Sequence, residues 1–228
     1  MDCSGKSKTQ LNKSMGIFDK VRTLGIGFAF ERGFERIVPA WMLRFCSLAV
    51  YQLDIEKLSG KTSPANVKIG DSELELDQLG EVTFNPGGKH TGIGLMAKLD
   101  DQVVGGLWIA LGEYKDHDLG LSVLLGSDGA WIYAARVDDA YRRRGIYSHL
   151  MAESAQARIS NGHVPPLIGV SSLNKGSHKA IQRVGTPVGN ILMIRLGSMV
   201  WARSTGGLQQ NQTFTFQCTR RPIQISVR

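Results

Sequence analysis

Val137-Asp138-Asp139-Ala140-Tyr141-Arg142-Arg143-Arg144-Gly145-Ile146-Tyr147-Ser148 is the stretch on which the fold turns, because it sets a basic, glycine-containing turn between a strand and a helix. Upstream, Gly129 to Val137 alternates as a strand, with Ile132, Ala134 and Arg136 on one face and Trp131, Tyr133, Ala135 and Val137 on the other. Downstream, Ile146, Leu150 and Ala157 share a face of a helix over Gly145 to Asn161, and Asn161-Gly162 stops it. The first N–H groups of such a helix have no intrahelical acceptor and point outward, and the macrodipole and three arginines add attraction for an anion. Gly145 lets the backbone approach that anion closely. An arginine run by itself is usually solvated surface; the position between strand and helix singles this one out as a phosphate site.

Working outward, Gly92 to Leu99 and Gln102 to Ala110 are apolar runs joined by Asp100-Asp101, a hairpin signal. After the helix come a strand over Leu167 to Ser172, a short helix over Ser177 to Val184 ended by Gly185, and late strands over Asn190 to Leu196 and Thr213 to Cys218. This order predicts a mixed α/β (α+β) domain over residues 61–228, without internal repeats. Residues 1–14 are polar and read as a disordered tail. Residues 15–60 read as a helical extension: Ile17, Val21, Leu24 and Phe28 keep helix spacing, and Pro39 opens a second helix reaching Leu53. On that second helix Arg44, Ser47 and Tyr51 form a narrow polar stripe, so most of its surface must be buried, against the core first, a second subunit of a homodimer next, and a membrane interface last. Ser59 to Pro64 reads as a linker.

Composition bounds the function. With 228 residues, 42 % hydrophobic and 21 % charged, the chain can bury a core, which excludes disorder throughout. Cys3, Cys46 and Cys218 are odd in number and far apart, with no Cys/His cluster for zinc, which points to a reducing, cytoplasmic compartment. The apolar run Ile37 to Leu53 is interrupted by Arg44, Ser47 and Gln52 and is no transmembrane span; the polar N-terminus lacks a signal-peptide core. Lys/Arg against Asp/Glu number 8 and 4 over residues 1–50, 6 and 13 over 51–130, and 13 and 3 over 131–228, giving +4, −7 and +10 and summing to the stated +7. A basic last part beside an acidic middle fits a polyanionic ligand on the former and a cationic acceptor near the latter, with solvated surface as the plain alternative. Nucleic acid is not expected, since no helix-turn-helix or RNP pattern occurs and aromatics do not interleave with the arginines.

The turn resembles the signature of the GNAT superfamily of acyl-CoA N-acyltransferases, in which a valine ends the fourth strand and Gln/Arg-x-x-Gly-x-Gly/Ala wraps the CoA pyrophosphate. Val137 and Arg142-Arg143-Arg144-Gly145-Ile146-Tyr147 fit that spacing, with Tyr147 where the family places Gly or Ala. Asn174-Lys175-Gly176-Ser177, followed by Arg183-Val184-Gly185, is similar to a second family segment that opens the helix after the fifth strand and borders the CoA arm. Helix capping alone also accounts for Asn174, Ser177 and Gly185. The resemblance covers residues 66 to 200. It implies a mostly antiparallel central sheet flanked by helices and acetyl-CoA or another acyl-CoA as co-substrate. The donor then lies in a gap between the fourth and fifth strands, held by backbone groups of Ala135 and Val137, by Arg142 to Ser148, and by Asn174 and Ser177. An amine acceptor attacks the thioester directly, helped by positioning and by stabilisation of the oxyanion.

The catalytic groups are less visible. Where the family often sets a carboxylate this chain has Trp131 and Tyr133, and where many members set a tyrosine it has Ile181. Tyr133 is the single named candidate, chosen because strand alternation puts it on the face of Ala135 and Val137; a wall of the acceptor pocket is its plainer role. The acidic loop Glu113 to Asp118 is a second source of a base, through water. His117 and His178 read as surface histidines, and Phe30 and the tryptophans as core. A protein that keeps the CoA fold without turnover is the alternative function.

Overall fold

Asp100 and Asp101 adopt positive φ values of 50° and 62°, the pair of left-handed residues a two-residue hairpin demands, and they join the strands expected on either side of them. The computed structural model describes residues 43–70, 72–83, 92–116, 121–210, 214–216 and 223–227. The expected tail 1–14 and the helix from Met15 lie outside them, as does His117. The elements are β1 (Leu43–Leu53), α1 (Ile55–Leu58), β2 (Asn66–Ile69), α2 (Glu73–Thr83), β3 (Ile93–Leu99), β4 (Gln102–Leu111), β5 (Glu113–Asp116), β6 (Leu121–Leu124), β7 (Ala130–Val137), α3 (Ile146–Ser160), β8 (Leu167–Ser171), α4 (Lys175–Ile181), β9 (Gly185–Leu196), β10 (Met199–Gly206), β11 (Leu208–Gln210), β12 (Phe214–Phe216) and β13 (Ile223–Val227).

The central sheet has nine strands in the order β12-β10-β9-β1-β8-β7-β4-β3-β2, and a second sheet has the order β11-β13-β6-β5. The large sheet is antiparallel except at β7 and β8, which run parallel. One face carries α3 and α4 over a core that includes Tyr51, Leu53, Ile132, Val137, Ile146, Leu150, Ile168 and Ile181. The opposite face packs Val50, Trp131, Leu167, Ile191 and Met193 against Leu121, Val123, Ile223 and Ile225 of the second sheet. Beside the second sheet, α2 covers Met96, Val103 and Trp108 with Leu79, and the Trp108 Nε1–H donates to Thr83 Oγ1 at 3.0 Å.

The segment expected as a helix over Pro39 to Leu53 is instead β1 from Leu43 onward, in the middle of the large sheet between β8 and β9. The cause lies in its composition. A run that is apolar on all sides suits a buried helix or a strand covered on both faces, and periodicity cannot separate the two. The spacing that lines up Arg44, Ser47 and Tyr51 on a helix is split by the strand period of two, which puts Arg44 on the face opposite Ser47 and Tyr51. Tyr51 is not on a wet stripe; it is 4 % exposed, and its hydroxyl meets His178 Nδ1 at 3.0 Å. His178 is accordingly half-buried rather than a free surface histidine.

Candidate functional site

The parallel pair β7–β8 forks. Its ladder holds Trp131 against Leu167 and Ile132 against Ile168 and goes no further along either strand. Beyond that point β7 stays paired with β4, Gly106 facing Arg136 and Gly105 facing Val137, while β8 stays paired with β1 as far as Leu48 and Ser171. Both outer edges are therefore satisfied and the two inner edges face one another across an open wedge. Asp138 N–H donates to Val104 O at 2.9 Å toward β4, so the antiparallel alternation turns the N–H and C=O of Ala135 and Val137 into the wedge.

A β-bulge lies where the strands diverge. Between Trp108 and Gly106 on β4 the register shifts, and Ala134 and Ala135 together oppose one residue, with Ala134 at φ 50°. The bulge also overturns the expected face of Tyr133. Tyr133 packs with Trp131 toward the second sheet, whereas Ala135 and Val137 pack with Ile132 on the helix face. Simple alternation fails because one extra residue shifts the period.

At the mouth of the wedge the chain turns into α3. The Asp138 carboxylate accepts from Ala140 N–H at 2.9 Å and starts a single 3₁₀ turn over Asp139–Tyr141. Two of the three arginines have separate partners. Arg142 donates from Nε to Val137 O at 3.3 Å and pairs with Asp139 at 2.5 Å. Arg144 stacks over the Tyr141 ring at 5.3 Å, and the Tyr141 hydroxyl donates to Gln102 Oε1 at 3.2 Å. Arg143 is exposed at φ 64°. Gly145, at φ 79°, is the residue before α3, and no side chain caps that end. The first helical bond is His149 N–H to Gly145 O at 3.0 Å, which leaves the N–H groups of Ile146, Tyr147 and Ser148 without intrahelical acceptors. A Cβ on Gly145 would stand 3.1 Å from Thr62 O, so the Ser59–Pro64 segment, expected as a plain linker, lines the turn. His149 Nδ1, 3.1 Å from Lys61 O, ties the same segment to α3. Cationic side chains and free N–H groups together suit a phosphate.

On the other arm, Asn174 caps α4: its Oδ1 accepts from Ser177 N–H at 3.0 Å. Both lie just past the carboxyl end of β8, as Arg142–Ser148 lie past that of β7, the ends at which open parallel sheets receive ligands. Tyr147 packs half-buried against the helix-face core, and burial pushes its phenol above the ordinary range.

Burial also raises the Tyr133 phenol above its ordinary value. Glu113 is not in a loop but in β5, where bonds from Ser122 and Lys115 hold its carboxyl below the ordinary value; residues 117 and 118 lie outside the described residues. Ile181 is fully buried. Among the described residues no group of His, Cys, Asp or Glu is arranged to hold a metal ion, and no helix is long and apolar enough to cross a membrane. Sequence reasoning missed Tyr114, whose ring stacks on Trp131 at 5.5 Å and lies 5.3 Å from that of Tyr133. The alternation of Leu121 and Val123, which form the partner strand β6, was the available signal.

A forked sheet with a basic, glycine-containing turn at its mouth is the architecture of acetyltransferases of the GNAT type. The profile of the GNAT acetyltransferase family matches residues 55–186, and the chain belongs to that family. Proteins of curated function give no match. Among solved structures, the chain is similar to a GNAT-family protein of Novosphingobium aromaticivorans, at 13% identity and a TM-score of 0.48 over 67% of this chain and 64% of that one. It is also similar to a GCN5-related N-acetyltransferase of Kribbella flavida, at 8% identity and a TM-score of 0.46 over 71% and 60%. A third is an aminoglycoside acetyltransferase from an uncultured soil metagenomic sample, solved with sisomicin, at 14% identity and a TM-score of 0.41 over 52% and 86%. The chain spans less than two thirds of the length of the first two, and identities this low speak to fold alone.

Proposed function

We propose that this chain is an acyl-CoA N-acyltransferase that moves an acetyl or other acyl group from the CoA thioester to an amine by direct attack, in a reducing, cytoplasmic setting. The observation that carries the reading is the strand, turn and helix at Val137–Ser148, which sets outward N–H groups and exposed cations at the mouth of the wedge. Arg143, Arg144 and the N–H groups of Gly145 to Ser148 hold the pyrophosphate, while Arg142 braces the turn. Ala135 and Val137 pair with the pantetheine amides as an added strand would, and Asn174 and Ser177 border the arm from the β8 side. The amine nitrogen attacks the thioester carbon, the C–S bond breaks, and the thiolate takes a proton. Positioning in the wedge supplies most of the acceleration, and water deprotonates the amine.

The test is thiol release from acetyl-CoA with a panel of amines. Release that needs the amine, and rises with pH as the free amine becomes more populated, supports transfer. A second reading, a CoA-binding protein without turnover, is favoured by Ile181 and by the absence of a carboxylate at Trp131 and Tyr133. A CoA-induced rise in Tm with no thiol release from any amine selects it.

A further inference from the structure

The wedge has two faces, and the turn at Arg142–Gly145 leads into α3 on only one of them. On the other face lie side chains the donor reading does not use. Trp131 spreads its indole across the base of the wedge: a Cβ at Gly169 of β8 would stand 2.6 Å from Trp131 Cζ2, so glycine is what allows the ring to bridge the strands. Tyr114 lies on that indole nearly parallel, at 15°, and Tyr133, one step further along β7, is tilted 38° to Tyr114. Tyr114 and Tyr133 are half-buried, whereas Trp131 beneath them is 2 % exposed. Across from them, two residues beyond Gly169 on the same face of β8, Ser171 has a buried Oγ with no hydrogen-bond partner. Buried hydroxyls are nearly always bonded. On β5, which carries Tyr114, the Glu113 carboxylate is already engaged by the Ser122 hydroxyl and by Lys115 at 2.9 Å.

We propose that this face is the acceptor subsite and that it takes a single amine carried on a planar apolar body, an arylalkylamine, rather than an aminoglycoside or a polyamine. This rests on the acyl-transfer reading above and narrows its acceptor. Aromatic faces stack on a planar body and attract the ammonium before it loses its proton. Several ammonium groups on one acceptor need several free carboxylates, and among the described residues of β5 neither carboxylate is free: Glu113 is held by Ser122 and Lys115, and Asp116 is engaged as well. An acceptor entering the wedge also supplies the partner that Ser171 Oγ lacks, and its nitrogen reaches the thioester from the side opposite the phosphate turn.

The experiment uses the full chain at saturating acetyl-CoA with tryptamine, 2-phenylethylamine, spermidine and kanamycin, and follows in parallel the rise in Tm caused by CoA. The proposal expects kcat/KM for the two arylalkylamines at least tenfold above the other two. Tyr114→Ala raises their KM about tenfold with the CoA-induced rise in Tm intact, and Tyr114→Phe restores it. The retained CoA response shows that the alanine variant is folded. A preference for spermidine or kanamycin, or an unchanged KM in Tyr114→Ala, overturns the proposal. So does a wild type that responds to CoA but shows no saturation-transfer NMR signal with either arylalkylamine. A wild type without any CoA response contradicts the acyl-transfer reading instead.

Discussion

Arg142, Arg143 and Arg144 are equivalent in the sequence and unequal in the fold. Arg142 is tied to Val137 O and Asp139, Arg144 lies on Tyr141, and Arg143 faces solvent. Arg142→Ala is expected to cost less than about 1 kcal/mol of stability, because its ion pair is exposed, a value urea titration reads. Arg143→Glu should weaken CoA binding at least tenfold, about 1.4 kcal/mol, with little change in the Tm of the free protein. Tyr133 gives a sharper residue-scale test, because the bulge carries it away from Ala135 and Val137. If its ring and not its hydroxyl matters, Tyr133→Phe keeps kcat within about threefold; a hundredfold loss, roughly 3 kcal/mol in the barrier, would make the hydroxyl chemical. Tyr147 sets an alkaline limit. Its folded phenol titrates above the ordinary 10.0, so the unfolded chain releases its proton first and stability is full below that pH and falls as pH rises beyond it. Tyr147→Phe should lose stability less steeply than wild type above pH 10.0 in thermal melts.

At the scale of elements, what could be read from the sequence was whatever its own residues specify locally. Asp100-Asp101 fixes a hairpin, Gly145 a helix start, and Asn161-Gly162 its end, and each carries the conformational demand in its side chain or lack of one. The phosphate turn was legible for the same reason. β1 was not, because Leu48 to Val50 and their neighbours are covered from both sides and show no period. The face of Tyr133 was hidden by a bulge that depends on how β4 pairs with β7, a relation between strands that neither strand states alone. Ala49 pairs with Val170 on one side and Asn190 on the other, so Ala49→Pro removes a ladder donor from a central strand. A loss on the order of 3 kcal/mol or more is expected, seen as a lower urea midpoint; an unchanged midpoint would contradict the central placement of β1.

For the whole molecule, the second sheet was the least legible part, since β13 completes it by pairing in parallel with β6, far earlier in the chain. That sheet covers one face of the large one while α3 and α4 cover the other, and β7 and β8 fork between them beyond their short parallel pairing. Removing residues 1–53 takes out the strand between β8 and β9. The expected outcome is loss of cooperative unfolding, not merely lower solubility, and circular dichroism melts of the truncated chain check it. On the proposed function, the phosphates of an acyl-CoA donor bind the Arg142–Ser148 turn at that fork. Thermal melts of the wild type and Gly145→Asp with and without CoA test it most directly, the unliganded melt showing how much the substitution costs the fold at φ 79°. A ligand that binds only the folded state at about a hundred times its Kd adds roughly 2.7 kcal/mol. A clear rise in Tm is expected for the wild type and none for Gly145→Asp; an equal rise in both would contradict phosphate binding at this turn.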